Sequence, residues 1–155
     1  MTAKGIKAII GNGYDDSMLT DQRHPNRGEL DQVSETIPVC IFHQSGHYGV
    51  CNTAGLNAAG FYDEPETTNP PGGTIYRDRD NKDKMTGLLG ERAFMIMLGK
   101  MSPALDDKIL HKAEEMYTAQ GFTTVQEGRA LDKAALRTLS QTEFGKVDVV
   151  AYVDL

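Results

Sequence analysis

Apolar positions along this chain fall into short blocks separated by glycine, proline and polar loops. Ile6-Lys7-Ala8-Ile9-Ile10 runs into Gly11-Asn12-Gly13, the pattern of a strand closed by loop chemistry. Pro38-Val39-Cys40-Ile41-Phe42 is continuous and partly β-branched, as a buried strand should be. Between them, Leu30 and Val33 follow Pro25 at helical spacing, which predicts a short helix over 26–33. Asn52 reads as the cap of a small helix reaching Ala59. Residues 88–98 are apolar nearly all round and stop at Gly99, predicting a buried helix. Ser102-Pro103 then predicts a helix start, with Leu105, Ile109, Ala113, Met116 and Tyr117 on one face and Gly121 as the stop. Phe122-Thr123-Thr124-Val125 reads as a strand. Leu131, Ala135, Leu136 and Leu139 mark another helix, and residues 147–153 a last strand.

The second half thus alternates helix and strand, with strands apolar on both faces. That predicts an α/β protein with about four parallel strands covered by helices, in one domain over 1–155. Residues 61–83 break the alternation. Pro70-Pro71-Gly72-Gly73 cannot be helical, and Thr74 to Arg77 can pair with a return arm near Met85-Thr86 through a turn at Asp80-Asn81. We read this segment as a β-hairpin excursion on the surface.

Charge changes the picture by exclusion. With 16 Lys+Arg against 22 Asp+Glu the formal net charge is −6, the wrong sign for a nucleic-acid binder. No apolar run approaches the roughly 20 residues that span a bilayer, so no membrane partner is expected. Nor does the N-terminus look like a signal peptide, so the expected location is cytoplasmic. In that compartment Cys40 and Cys51 read as reduced, buried small hydrophobes.

In parallel α/β folds reactive groups gather at the carboxyl ends of strands. Here those positions carry Tyr14 and Asp15, His43 and His47, Glu127, and Asp154. His43-Gln44-Ser45-Gly46-His47 is the densest constellation, and it allows three readings. The two imidazoles can chelate a metal, although Ser45-Gly46 makes a loop more natural than a helix. Ser45 can be a nucleophile on an elbow, although His43 stands where that motif wants glycine. Or the imidazoles orient substrate or stabilise an oxyanion beside a metal held elsewhere. His24 and His111 read as solvated. The run Asp78 to Asp83 lacks the glycine and terminal glutamate of an EF-hand loop, and Pro70 to Gly73 lacks the lysine of a P-loop.

Several segments, in order, resemble amidohydrolase family 3, the branch of metal-dependent hydrolases that includes N-substituted formamide deformylase-like enzymes. They are Gly11-Asn12-Gly13-Tyr14-Asp15-Asp16, Arg23-His24-Pro25, His43 to His47, Cys51 to Leu56, Asn69 to Ile75, Arg77-Asp78, Thr86 to Leu89 and Gly121 to Gly128. The resemblance implies a distorted β/α barrel. It implies one or two divalent metals, usually zinc, that activate water against an amide-type, non-peptide C–N bond of a small-molecule substrate. It places His43 and His47 near the substrate pocket as catalytic groups, while Tyr14, Asp15 and Glu127, at strand ends, are expected to bind substrate. The family's His-x-His metal pair has no counterpart in this sequence, and its later metal ligands match no segment here, so no metal ligand is assigned in the chain. Glu91 falls in a matching segment without an assigned role. The expectation is a front-middle portion of a barrel, inactive by itself, which self-associates or pairs with the remainder. The alternatives are a non-catalytic interaction or oligomerising module, and an independent doubly wound α/β domain.

Overall fold

The computed structural model describes residues 8–64, 66–101, 106–130 and 133–153. The expected strand start at Ile6-Lys7, the helix start at Ser102-Pro103 with Leu105, and the positions Leu131 and Asp154 lie outside the described residues. The chain divides into two compact units, Met1–Pro103 and Ala104–Leu155.

In the first unit β1 (Ile9–Tyr14), β2 (Val39–His43), β3 (Tyr48–Cys51), β4 (Gly73–Arg77) and β5 (Met85–Glu91) make one sheet in the order β1-β2-β3-β5-β4. Only β1 and β2 run parallel; the other neighbours are antiparallel. The expectation of about four parallel strands is therefore corrected to a mixed, mostly antiparallel sheet. Chain length between strands decides it. Only residues 44–47 separate β2 from β3, far short of the dozen or so residues of a parallel crossover, and Gly46 reverses the chain at φ +74°.

A second correction concerns residues 88–98. Leu88 and Leu89 belong to β5, opposite Val50 and Gly49 of β3, and helix α3 (Arg92–Met101) begins only after Glu91. A short run apolar on both faces fits a buried strand as well as a buried helix. Here Gly87 decides, at φ +96°, where a Cβ would sit 2.6 Å from the Cys51 carbonyl oxygen. The excursion forms the expected hairpin, with Arg77 opposite Met85.

Two short helices complete this unit. α1 (Arg27–Asp31) starts in a capping box in which Asn26 accepts from Glu29 N and Glu29 accepts from Asn26 N. α2 (Thr53–Ala59) is capped by Asn52, as expected. Asn52 is fully buried yet fully used: Oδ1 accepts from Val39 N and Gly55 N, and Nδ2 donates to the Ser34 and Ile37 carbonyls. Strand alternation sends Cys40 into a core with Cys51, Leu56, Met85, Leu89, Phe94 and Met97, while Val39 joins Leu30 and Val50 in a separate cluster. Cys40 and Cys51 face each other across β2 and β3 as buried free thiols, and burial pushes the Cys51 thiol up.

The second unit contains α4 (Asp107–Ala119), β6 (Thr124–Ala130), α5 (Lys133–Gln141) and β7 (Asp148–Val153). β6 and β7 pair in parallel, with Val125 opposite Val149, so the helix–strand alternation is borne out here. Among the described residues no helix is long and apolar enough to cross a membrane.

Candidate functional site

Parallel pairing brings the carboxyl ends of β1 and β2 side by side, with Tyr14 opposite His43. A register shift between Asn12 and Tyr14, with Gly13 at φ +85°, brings the chain into the turn that carries Asp15 and Asp16. Asp15 starts this turn: its Oδ1 accepts from Ser17 N at 3.0 Å and Ser17 Oγ at 2.7 Å. Those two bonds, the side-chain one first, hold the Asp15 carboxyl below its usual range. Gln44, in the loop after β2, donates to Asp15 Oδ2 at 3.3 Å.

His43 is 9% exposed and is hydrogen-bonded at Nδ1. Nδ1 lies 2.8 Å from Ser45 Oγ and 3.2 Å from Ser45 N. Nε2 lies 2.9 Å from Asp16 Oδ1, but off the line of a hydrogen bond, so this buried nitrogen has no aligned partner among the described residues. One donor atom each from Asp15, Asp16 and His43 falls within a 4.8 Å span.

Aromatic rings surround this group. Tyr14 meets His43 edge-on at 5.1 Å, and His24 meets His43 at 5.5 Å and Tyr48 at 5.4 Å. The Tyr14 hydroxyl is 2.9 Å from His24 Nδ1. Burial, with the Asp16 carboxylate second, pushes the Tyr14 phenol well up, so it stays protonated across the ordinary pH range. His24 is thus half-buried in the cluster, a correction to its reading as solvated.

His47 goes elsewhere. Its Nδ1 pairs with Glu91 Oε1 at 3.1 Å, both side chains being more than half exposed. Ser45 Oγ links the two imidazole environments, since it also accepts from His47 N at 3.2 Å. Glu91 N donates to the His47 carbonyl, and Glu91 itself stands at φ +52°. The structure therefore brings Tyr14, Asp15 and His43 together and sets His47 beside Glu91. Glu127 lies on β6 in the second unit, on the wall of a cavity of about 210 Å³ with Leu110, Tyr117, Phe144 and Val149. Asp16, His24 and Tyr48 carried no functional assignment from sequence. Asp16 and His24 stood inside the matched segments, whereas Tyr48 gave no signal.

These features have a shared home. The sequence profile of the amidohydrolase family matches residues 2–150, so the chain belongs to that family. It is 31% identical over 137 residues to N-substituted formamide deformylase of Arthrobacter pascens, covering 82% of this chain and 24% of that protein. It is 28% identical over 129 residues to exoenzymes regulatory protein AepA of Pectobacterium carotovorum, covering 81% and 27%. The chain spans about a quarter of the length of these relatives. Among solved structures, an uncharacterized metal-dependent hydrolase from Pyrococcus furiosus superposes with a TM-score of 0.54 at 22% identity, over 94% of this chain and 29% of the other. That likeness speaks to fold.

Proposed function

We propose that this chain supplies part of the active centre of a metal-dependent hydrolase that cleaves an amide-type, non-peptide C–N bond. The observation that carries the reading is the gathering of Tyr14, Asp15, Asp16 and His43 where β1 and β2 end, in a chain of the amidohydrolase family. The name of the Arthrobacter relative supports an N-substituted formamide or a similar small amide as substrate. A divalent metal, zinc by the family resemblance, fits the residues present: the buried, unpartnered Nε2 of His43 faces the Asp15–Asp16 turn. When bound, such an ion polarises a carbonyl and lowers the pKa of its water.

The chain's own side chains then take distinct parts. The Glu91 carboxylate orients the His47 ring through Nδ1, and Nε2 of that ring meets substrate as a donor to the developing oxyanion. Tyr14, kept protonated, and Asp15 shape the substrate side. His43 is buried and sits among carboxylates, so it acts on the Asp15–Asp16 side.

The 155-residue chain is expected to lack turnover by itself, because no His-x-His metal pair occurs in its sequence. The test therefore assays formate release from an N-substituted formamide by the product of the complete reading frame. Turnover that disappears with a chelator, and falls at least a hundredfold in His47→Ala, carries the reading. Ser45 Oγ touches His43 Nδ1 at 2.8 Å, which keeps a serine mechanism in view. Chelator-resistant turnover, blocked by a fluorophosphonate on Ser45, would replace the metal reading with that one.

A further inference from the structure

We infer that Asp15, Asp16 and His43 form a binding site for one divalent transition-metal ion of the zinc class. Asp15 and Asp16 lie in the turn after β1 and His43 is the last residue of β2, and each offers one donor atom within 4.8 Å of the others. At zinc bond lengths of about 2.0–2.2 Å, two ligands of a tetrahedral ion stand about 3.3 Å apart. His43 Nε2 and Asp16 Oδ1, at 2.9 Å, are already near that separation.

The independent observation is the state of His43. Nine-tenths of the residue is buried, Nε2 is wholly so, and no described atom forms a hydrogen bond with it. A buried polar nitrogen left without a partner is unfavourable, and an ion bridging it to the adjacent carboxylates relieves that cost. Donor chemistry selects the ion. Calcium and magnesium take all-oxygen shells, whereas one imidazole with two carboxylates suits zinc and its neighbours. Outer contacts agree. Ser17 and Gln44 donate to Asp15, and Ser45 Oγ can accept from Nδ1–H of His43, the tautomer that presents the Nε2 lone pair. Ser45 N, 3.2 Å from Nδ1, favours the opposite tautomer, so the tautomer becomes a readout.

The inference deepens the hydrolase reading, which already draws on the fit of an ion to this turn, but its test needs no turnover, since a chain without turnover would bind the ion equally. The purified 155-residue chain is stripped by chelator and titrated with zinc against a chromogenic competitor. Cobalt absorption and ¹⁵N imidazole shifts are recorded in parallel. One zinc per chain is expected, with the His43 tautomer fixed as Nδ1–H. Asp15→Asn and Asp16→Asn should each weaken binding at least tenfold, while His47→Ala leaves it unchanged. Asn retains a capping oxygen at position 15, and circular dichroism reports the fold of each variant. The inference is overturned by the absence of saturable binding, by undiminished affinity in either carboxamide variant, or by loss of zinc in His47→Ala. Zinc held by this chain, with no turnover by the product of the complete reading frame, removes only the hydrolase reading; chelator-sensitive turnover with no zinc at these residues removes only this one.

Discussion

Glu91 stands at φ +52°, where a side chain bearing a Cβ costs about 1–2 kcal/mol relative to ordinary backbone. Its contact with His47 is more than half exposed on both sides and contributes about 0–1 kcal/mol, too little to hold that conformation. What holds it is the backbone: Glu91 N donates to the His47 carbonyl just where β5 gives way to α3. Backbone strain of this kind clusters at functional sites, which agrees with the orienting role proposed for Glu91. Glu91→Ala and Glu91→Gly both delete the carboxylate but differ in tolerance of positive φ. Chemical denaturation should find the glycine variant more stable than the alanine variant by about 1 kcal/mol. Equal stabilities would mean the residue carries no such strain. At this scale the sequence was informative where chemistry is local, as in the Asn52 cap, and silent where burial decides. Nothing in Arg23-His24-Pro25 shows that His24 folds back onto Tyr14, because that contact depends on the tertiary path of the turn.

Elements were legible in proportion to the distinctness of their period. β1, β2, the hairpin of β4 and β5, α4, and the β6–α5–β7 unit all announce themselves by breakers or by spacing. β3 does not, being four residues long with a glycine at its centre. That glycine has a packing reason, since a Cβ on Gly49 would lie 2.6 Å from the Phe94 ring. With β3 unseen, the antiparallel sheet could not be inferred, and the His43–His47 loop could not be placed at a hairpin tip. In the second unit one buried carboxylate joins elements far apart in sequence. Glu114 of α4 accepts from Lys146 N at 2.6 Å and Val147 N at 3.3 Å, just before β7. The Lys146 N–H is the main cause that holds the Glu114 carboxyl below its usual range; burial opposes it, and His111 and Val147 N assist. A depressed carboxyl pKa means the fold favours the ionised form. Its stabilising contribution is therefore complete above the unfolded value of about 4.3 and is lost as pH falls through the lower folded value. Amide exchange at Lys146 and Val147 should accelerate over that acidic window in the native chain, while Glu114→Gln shows faster exchange already at neutral pH and a flatter profile. An unchanged neutral-pH profile in Glu114→Gln would remove the carboxylate from its role.

For the molecule as a whole, what matters is how the sheets end. The five-stranded sheet has β1 at one edge, and among the described residues nothing pairs with the far side of that strand. Ile9 and Ile10 there are 42% and 41% exposed. Among the described residues the second unit has two strands, and a two-stranded sheet is marginal without further cover. An apolar, unpaired edge is a template for another chain, and stable monomers usually blunt such edges with charge, proline or a covering element. We therefore propose that the β1 edge is completed by a strand from a second copy of this chain. In isolation the 155-residue chain should associate with rising concentration in sedimentation and should bind a hydrophobic dye. Ile10→Lys places a charge on the exposed edge without touching the Cys40–Leu89 core, so it should shift the population toward monomer while leaving the helical circular dichroism signal intact. A wild-type chain that is monomeric and dye-silent at every concentration would show that β1 needs no partner. Association unaltered by Ile10→Lys would move the contact to another surface.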